Sequence, residues 1–202
     1  NFDEYIERRG TESYKWDGYH PEFPEVPETQ ELLPLWVADM DFLSPEGVAN
    51  AFSEYIKHGI FGYATLSDKL YQAIIHWERQ RHAVELTKEN IVFTSGVLTS
   101  LAAAVQTFTK PGDSILIHDP VYPPFSSIIE TNQRHIVRSS LLEKNNHFVM
   151  DFSDMEKKIE ENNVKAMILC NPHNPGGRVW NKEELKQLSE LCLKHRVFLF
   201  SD

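Results

Sequence analysis

Four short segments of this chain carry residue types suited to chemistry, and each follows an apolar run. Ser95-Gly96 follows Ile91–Thr94, and Asp119-Pro120-Val121-Tyr122 follows Ser114–His118. Asn171-Pro172-His173-Asn174-Pro175-Gly176-Gly177 follows Val164–Cys170, and Ser201-Asp202 follows Val197–Phe200. A glycine turn that opens a helix offers free backbone N–H groups and the positive end of a dipole, which suit a phosphate. An aromatic ring on a proline-stiffened loop can stack on a flat ring. An asparagine amide can donate to a ring oxygen, and a carboxylate can hold a pyridine nitrogen protonated.

Each segment alone has a plain alternative. Ser95-Gly96 is also an ordinary turn, Tyr122 also suits core packing, and Asp202 also suits a helix cap. Taken in order they match the needs of pyridoxal phosphate, which include an acidic partner for the ring nitrogen. A dinucleotide site fits worse, because no Gly-x-Gly-x-x-Gly follows any of the apolar runs. His118 and His173 lack metal-ligand spacing, so no metal is expected.

These segments need elements to place them. Val164–Cys170 is long enough for a strand and too short for a helix. The prolines after Asn171 and Asn174 push both residues into extended or turn geometry, and a helix is expected over 181–195. The alternation begins at residue 87. Strands are expected at 91–94, 114–118, 136–138, 164–170 and 197–201, and helices at 97–109, 125–131 and 154–162, with a polar excursion around Lys144-Asn145-Asn146. Strand–helix alternation implies an α/β fold with a mainly parallel sheet flanked by helices. The ends at Thr94, His118, Cys170 and Ser201 then share one edge, where ligands bind in open α/β sheets. Upstream, Ser44 is expected to cap a helix that Gly59 closes, and a second helix faces inward with Leu70, Ile74 and Trp77. Residues 1–34 read as an irregular arm of mixed aromatics and charges with prolines at 21, 24, 27 and 34. The domain expectation is an arm and substrate loop over 1–43 and the first part of a large α/β domain over 44–202.

Composition bounds the partners. The net charge of −10 argues against a nucleic-acid binder, and no apolar run approaches the ~20 residues of a membrane span. Two cysteines, Cys170 and Cys192, suit free buried thiols in a reducing compartment, and the acidic start gives no signal peptide; both point to the cytoplasm. Asn1 is not an initiator methionine and the chain stops on a strand-like run, so it reads as part of a longer polypeptide.

Ser95-Gly96-Val97, Asp119-Pro120-Val121-Tyr122, the Asn171–Gly177 loop and Ser201-Asp202 resemble the marks of fold-type I pyridoxal-phosphate enzymes, the aminotransferase superfamily. Lys15-Trp16-Asp17, Trp36-Val37-Ala38-Asp39-Met40-Asp41-Phe42 and Phe61-Gly62-Tyr63 resemble, more narrowly, cystathionine β-lyases of the MalY/PatB type. The resemblance implies that backbone groups of Gly96, Val97 and Leu98 bind the cofactor phosphate and that Tyr122 stacks on its ring. Asn174 bonds the ring hydroxyl and Asp202 the ring nitrogen. Tyr63 reaches the phosphate of a second subunit in a homodimer, and Val37-Ala38 faces the substrate carboxylate. Gly176 stands where many relatives have Thr or Ser, which should loosen the loop. The Schiff-base lysine and carboxylate-binding arginine of these enzymes lie beyond residue 202. The implied activity is β-elimination of a thiol from cystathionine- or cysteine-type amino acids. An aminotransferase and a noncatalytic regulatory protein on the same fold are the alternatives.

Overall fold

The computed structural model describes residues 2–27 and 32–202; residues 28–31 of the expected arm lie outside the described residues. The chain divides into two compact units, Asn1–Ser67 and Asp68–Asp202.

The first unit holds two one-turn helices, α1 (Tyr14–Asp17) and α2 (Tyr19–Glu22), and a longer helix α3 (Glu46–His58). Gly59 closes α3 at φ 71°, as expected of a left-handed C-cap. At its start Pro45 takes the cap position and no side chain bonds the first turn, so the expected Ser44 cap does not form.

The second unit begins with α4 (Asp68–His82) and continues through α5 (Val97–Phe108), β1 (Ser114–Asp119), α6 (Pro124–Thr131) and β2 (His135–Ser140). It then runs through β3 (Leu142–Lys144), β4 (His147–Val149), α7 (Phe152–Glu161), β5 (Ala166–Leu169), α8 (Lys182–His195) and β6 (Phe198–Ser201). Four strands form one sheet in the order β2-β1-β5-β6, and every neighbouring pair is parallel. The central strands β1 and β5 are covered on both faces and are buried along nearly their whole length, whereas the edge strand β2 alternates between buried and exposed residues. Leu116, Met167 and Leu169 pack on one face with Met155, Ile159 and Leu188 of α7 and α8. Ile115, Ile117 and Ile168 pack on the other with Val105, Phe125 and Ile129 of α5 and α6. Phe125 is fully buried, and cutting it to Ala would cost about 3–5 kcal/mol through lost transfer energy and the cavity left behind.

Local signals fix the helix ends that matter. Asp151 caps α7 by accepting from the Asp154 N–H at 3.0 Å, and Asn181 and Glu184 form a capping box at α8. Buried Arg134 closes the far end of α5: its Nε donates to Thr109 Oγ1 at 2.9 Å and an Nη to the Thr109 carbonyl at 2.7 Å. A cation suits the negative end of a helix.

Three expectations need correction. Ile91–Thr94 is not a strand: Ile91 is extended, but no described strand runs beside it, and Val92 stays exposed. In α4 the buried residue is Ile75, with Leu70 and Trp77 exposed. Tyr71, one turn before Ile75, meets Phe93 edge-on at 5.4 Å between ring centroids, so the inward stripe lies one residue round from the expected one. The polar excursion is a hairpin, β3–β4, turned by Asn145 and Asn146 at φ 52° and 59°. Two left-handed residues match a type I′ turn, which asparagine tolerates.

Candidate active site

The sheet register sets the site. Leu116 lies opposite Met167, and Leu169 opposite Ser201. Carried to the strand ends, this brings Asp119, Cys170 and Asp202 level on the carboxyl edge. The Asn171 N–H donates to the Asp202 carbonyl at 2.8 Å, so the Asn-Pro loop starts directly beside Asp202. The carboxylate of Asp202 is exposed and bonds no other described residue.

The loop after β5 is closed on itself. The His173 N–H donates to the Arg178 carbonyl at 2.6 Å and the Gly177 N–H returns to His173 at 2.8 Å. Asn171 and Asn174 adopt bend and turn geometry, as the prolines require. Their side chains have different fates. Asn171 Oδ1 accepts from the Trp180 N–H at 3.1 Å, which commits it to the loop. The Asn174 amide is exposed and makes no hydrogen bond among the described residues, while its backbone N–H points to Cys170 Sγ at 3.3 Å. Gly176 sits where the loop packs closely. Its N–H donates to His173 Nδ1 at 3.2 Å, and a Cβ there would meet that same nitrogen at 2.5 Å.

Tyr122 is half-buried, with its ring edge-on to Phe125 at 5.6 Å, which meets the core-packing reading on one side and leaves part of the ring open. Gly96 opens α5 at φ 158°, with no atom where a Cβ would stand and no side chain capping the helix. Val97 and Leu98 are exposed. Phe108, at the other end of α5, touches Phe198 at the start of β6, 4.8 Å between centroids. The helix therefore runs against the strands, and its free N–H end lies toward the carboxyl edge. Thr94, Ser95, Thr99 and Ser100 ring that end with hydroxyls; Thr94 Oγ1 and Ser100 Oγ are 2.7 Å apart. The expected shared edge is thus formed by β1, β5 and β6. Thr94 belongs to no strand and reaches the edge through α5.

Two groups escaped sequence reasoning. Cys170 acts as a sulfur acceptor beneath Asn174, and burial pushes its thiol pKa up. His118 is wholly buried, with neither ring nitrogen bonded among the described residues. Burial first, and His173 second, bring its pKa down to about 4. It packs on Trp180 at 5.8 Å between centroids, so it sits in the loop's foundation as a neutral ring. A strand-end histidine in an otherwise apolar run was the available signal.

In the first unit, Val37 is half-buried and Ala38 exposed, and the Asp39 N–H folds back to the Val37 carbonyl at 2.9 Å. Tyr63 is fully exposed. Among the described residues the grouping with metal-ligand spacing is Glu156, Glu160 and His195. Lys194 already occupies Glu156 at 2.6 Å, which makes it a surface ion network.

The edge thus offers an open helix N-terminus, an aromatic ring, an unspent amide and an unspent carboxylate. These fit a phosphorylated pyridine: one anion, one flat face, one ring oxygen and one ring nitrogen. Residues 30–202 match the family described as aminotransferase class I and II. The chain is 46% identical over 202 residues to the cystathionine β-lyase PatB of Bacillus subtilis strain 168, covering 100% of this chain and 51% of that protein. It is 30% identical over 203 residues to protein MalY of Escherichia coli strain K12, again covering 100% of this chain and 51% of that one. The crystal structure of cystalysin from Treponema denticola, which contains pyridoxal 5′-phosphate, matches with a TM-score of 0.91 at 37% identity, over 100% of this chain and 51% of that one. The chain spans about half the length of the relatives it matches. On sequence and fold together, it belongs to the aminotransferase class I and II family.

Proposed function

We propose that the full-length protein is a pyridoxal-phosphate-dependent carbon–sulfur β-lyase. It acts on cystathionine- or cysteine-type amino acids and releases a thiol, pyruvate and ammonia. The observation that carries this reading is the 46% identity to a cystathionine β-lyase along the whole chain.

The residues of this chain have separate tasks in it. The N–H groups of Gly96, Val97 and Leu98 bind the phosphate at the start of α5, where the dipole favours an anion. Tyr122 stacks on the ring and Asn174 donates to the ring oxygen. Asp202 holds a proton on the ring nitrogen. When bound, the cofactor supplies an electron sink for negative charge at the substrate α-carbon. Asp202 strengthens its interaction as that charge develops, so it acts on the transition state more than on binding. Val37-Ala38 orients the substrate carboxylate. Tyr63 serves the second subunit of a homodimer, and the lysine that holds the cofactor lies beyond residue 202. In the same reading residues 1–43 are an arm and substrate loop, and 44–202 begin the large cofactor domain. Two buried free thiols suit the cytoplasm, and no helix among the described residues is long and apolar enough to cross a membrane.

Incubating the full-length holoenzyme with L-cystathionine and no keto acid tests the reading. Pyruvate and ammonia in equal amounts are expected. Amino transfer to an added keto acid without pyruvate release would make the protein an aminotransferase. Neither reaction, with partner binding intact, would make it a noncatalytic member of the fold.

A further inference from the structure

Lys15-Trp16-Asp17 and the run Trp36–Phe42 are tied together by one ion network. Lys15 is buried, with a side chain 9% exposed. Its Nζ donates to Asp41 Oδ2 at 2.5 Å and to the Asp39 carbonyl at 2.7 Å. Its own carbonyl accepts from Trp36 Nε1 at 3.0 Å. One residue therefore holds both flanks of Val37-Ala38. The neighbours complete the clamp. Trp16 Nε1 donates to Asp41 Oδ1 at 2.7 Å, and Arg8 reaches Asp41 and Asp39, each at 2.6 Å. Asp17 accepts from the N–H groups of Gly10 and Ser13 at 2.9 and 3.1 Å, closing the turn that carries Lys15. Two cations face two carboxylates, so the network is neutral and leaves no unpaired charge. Lys15 first, then Trp16 and Arg8, hold the Asp41 carboxyl well below the usual carboxylate range.

We propose that Lys15 and Asp41 are positioning residues that fix the Val37-Ala38 loop for the substrate's α-carboxylate. The proposal rests on the reading that this loop faces the substrate, which neither residue touches. Backbone aimed at a carboxylate helps only if it is held there; a loose loop must be ordered at each binding event. Loosening the clamp should therefore raise KM and leave the chemical step largely intact.

The test uses the full-length holoenzyme with L-cystathionine. Lys15→Met, Asp41→Asn and the double variant K15M/D41N are compared with wild type. KM is expected to rise about tenfold, the scale of re-ordering one immobilised side chain. The double variant should be little worse than either single one, because the two residues act as one unit, and kcat and bound cofactor should hold. If Lys15→Met does not fold, Arg8→Gln removes one arm of the clamp and is read the same way. A lowered Tm with KM within about twofold, less than one ordering step, would overturn the proposal and make the network purely structural. Ala38→Trp, which crowds the loop itself, separates the two failures. If it raises KM while the clamp variants do not, the clamp proposal falls and the loop reading stands. If neither moves KM, the loop reading falls and takes the clamp with it.

Discussion

The backbone N–H of Asn171 rests on the carbonyl of Asp202 at 2.8 Å. This bond joins the first residue of the Asn-Pro loop to the residue after β6. It sets the loop that carries Asn174 beside Asp202, the two residues proposed to meet the hydroxyl and the nitrogen of one ring.

Asp202→Asn in the full-length enzyme keeps the size and removes the charge. If Asp202 pairs with the ring nitrogen as proposed, its contribution grows in the transition state, so the loss should fall on kcat. We expect cofactor still bound and kcat lowered by ~10²-fold, the scale of losing one electrostatic stabiliser. Turnover within about threefold of wild type, far short of that scale, would reduce Asp202 to a structural cap.

Residues 1–202 alone should not turn over substrate. No described residue stands in for a covalent lysine, and the relatives are about twice as long. Steady pyruvate release by this piece with added pyridoxal phosphate would contradict the site assignment.

The full-length enzyme should sediment as a homodimer, and Tyr63→Phe should weaken cofactor binding by about tenfold, the scale of one hydrogen bond to a charged group. An active monomer in the ultracentrifuge would remove the basis for placing Tyr63 across an interface.

His118 links pH to stability. It titrates near 6.5 when unfolded and at about 4 when folded. Above 6.5 neither state takes the proton and stability is whole. Between 6.5 and 4 only the unfolded chain takes it, so stability falls as pH drops, by about 3 kcal/mol in all. His118→Phe keeps the contact with Trp180, and its Tm should change less between pH 7 and pH 5 than that of wild type. An unchanged slope would assign the acid sensitivity to other groups.

Cys170 and Cys192 are both buried and free. Burial raises both thiols, that of Cys192 to about 11, so the thiolate is scarce. Mass mapping after iodoacetamide at pH 8 should find both unmodified in the folded protein and both labelled in guanidinium. Rapid labelling of either in the native state would show that its strand or helix opens.

Much of this architecture was legible because periodicity and punctuation agreed. Apolar runs bounded by Pro, Gly and Asn gave β1, β5, β6 and their order of loops, and Asn171–Gly177 marked the edge where they meet. What escaped depends on partners distant in sequence. Ile91–Thr94 has strand composition, but a strand also needs a ladder beside it. Leu70 and Trp77 satisfy a helical period as well as Tyr71 and Ile75 do, and only packing chooses between them. Lys15 stood out only as part of the Lys15-Trp16-Asp17 resemblance, since nothing local says that its ammonium lies on Asp41. Asn145-Asn146 carried a hairpin signal in plain sight, hidden by the polar residues around it.

Arg134 gives α5 a consequence for ligand affinity. The guanidinium ties down Thr109, just beyond the last turn of the helix, and Leu101 and Val105 are seated in the core. The helix is thus pre-organised from its far end. In the proposed reading, an anion arriving at Gly96 would meet N–H groups already aligned, and little of its binding free energy would be diverted into building the receptor.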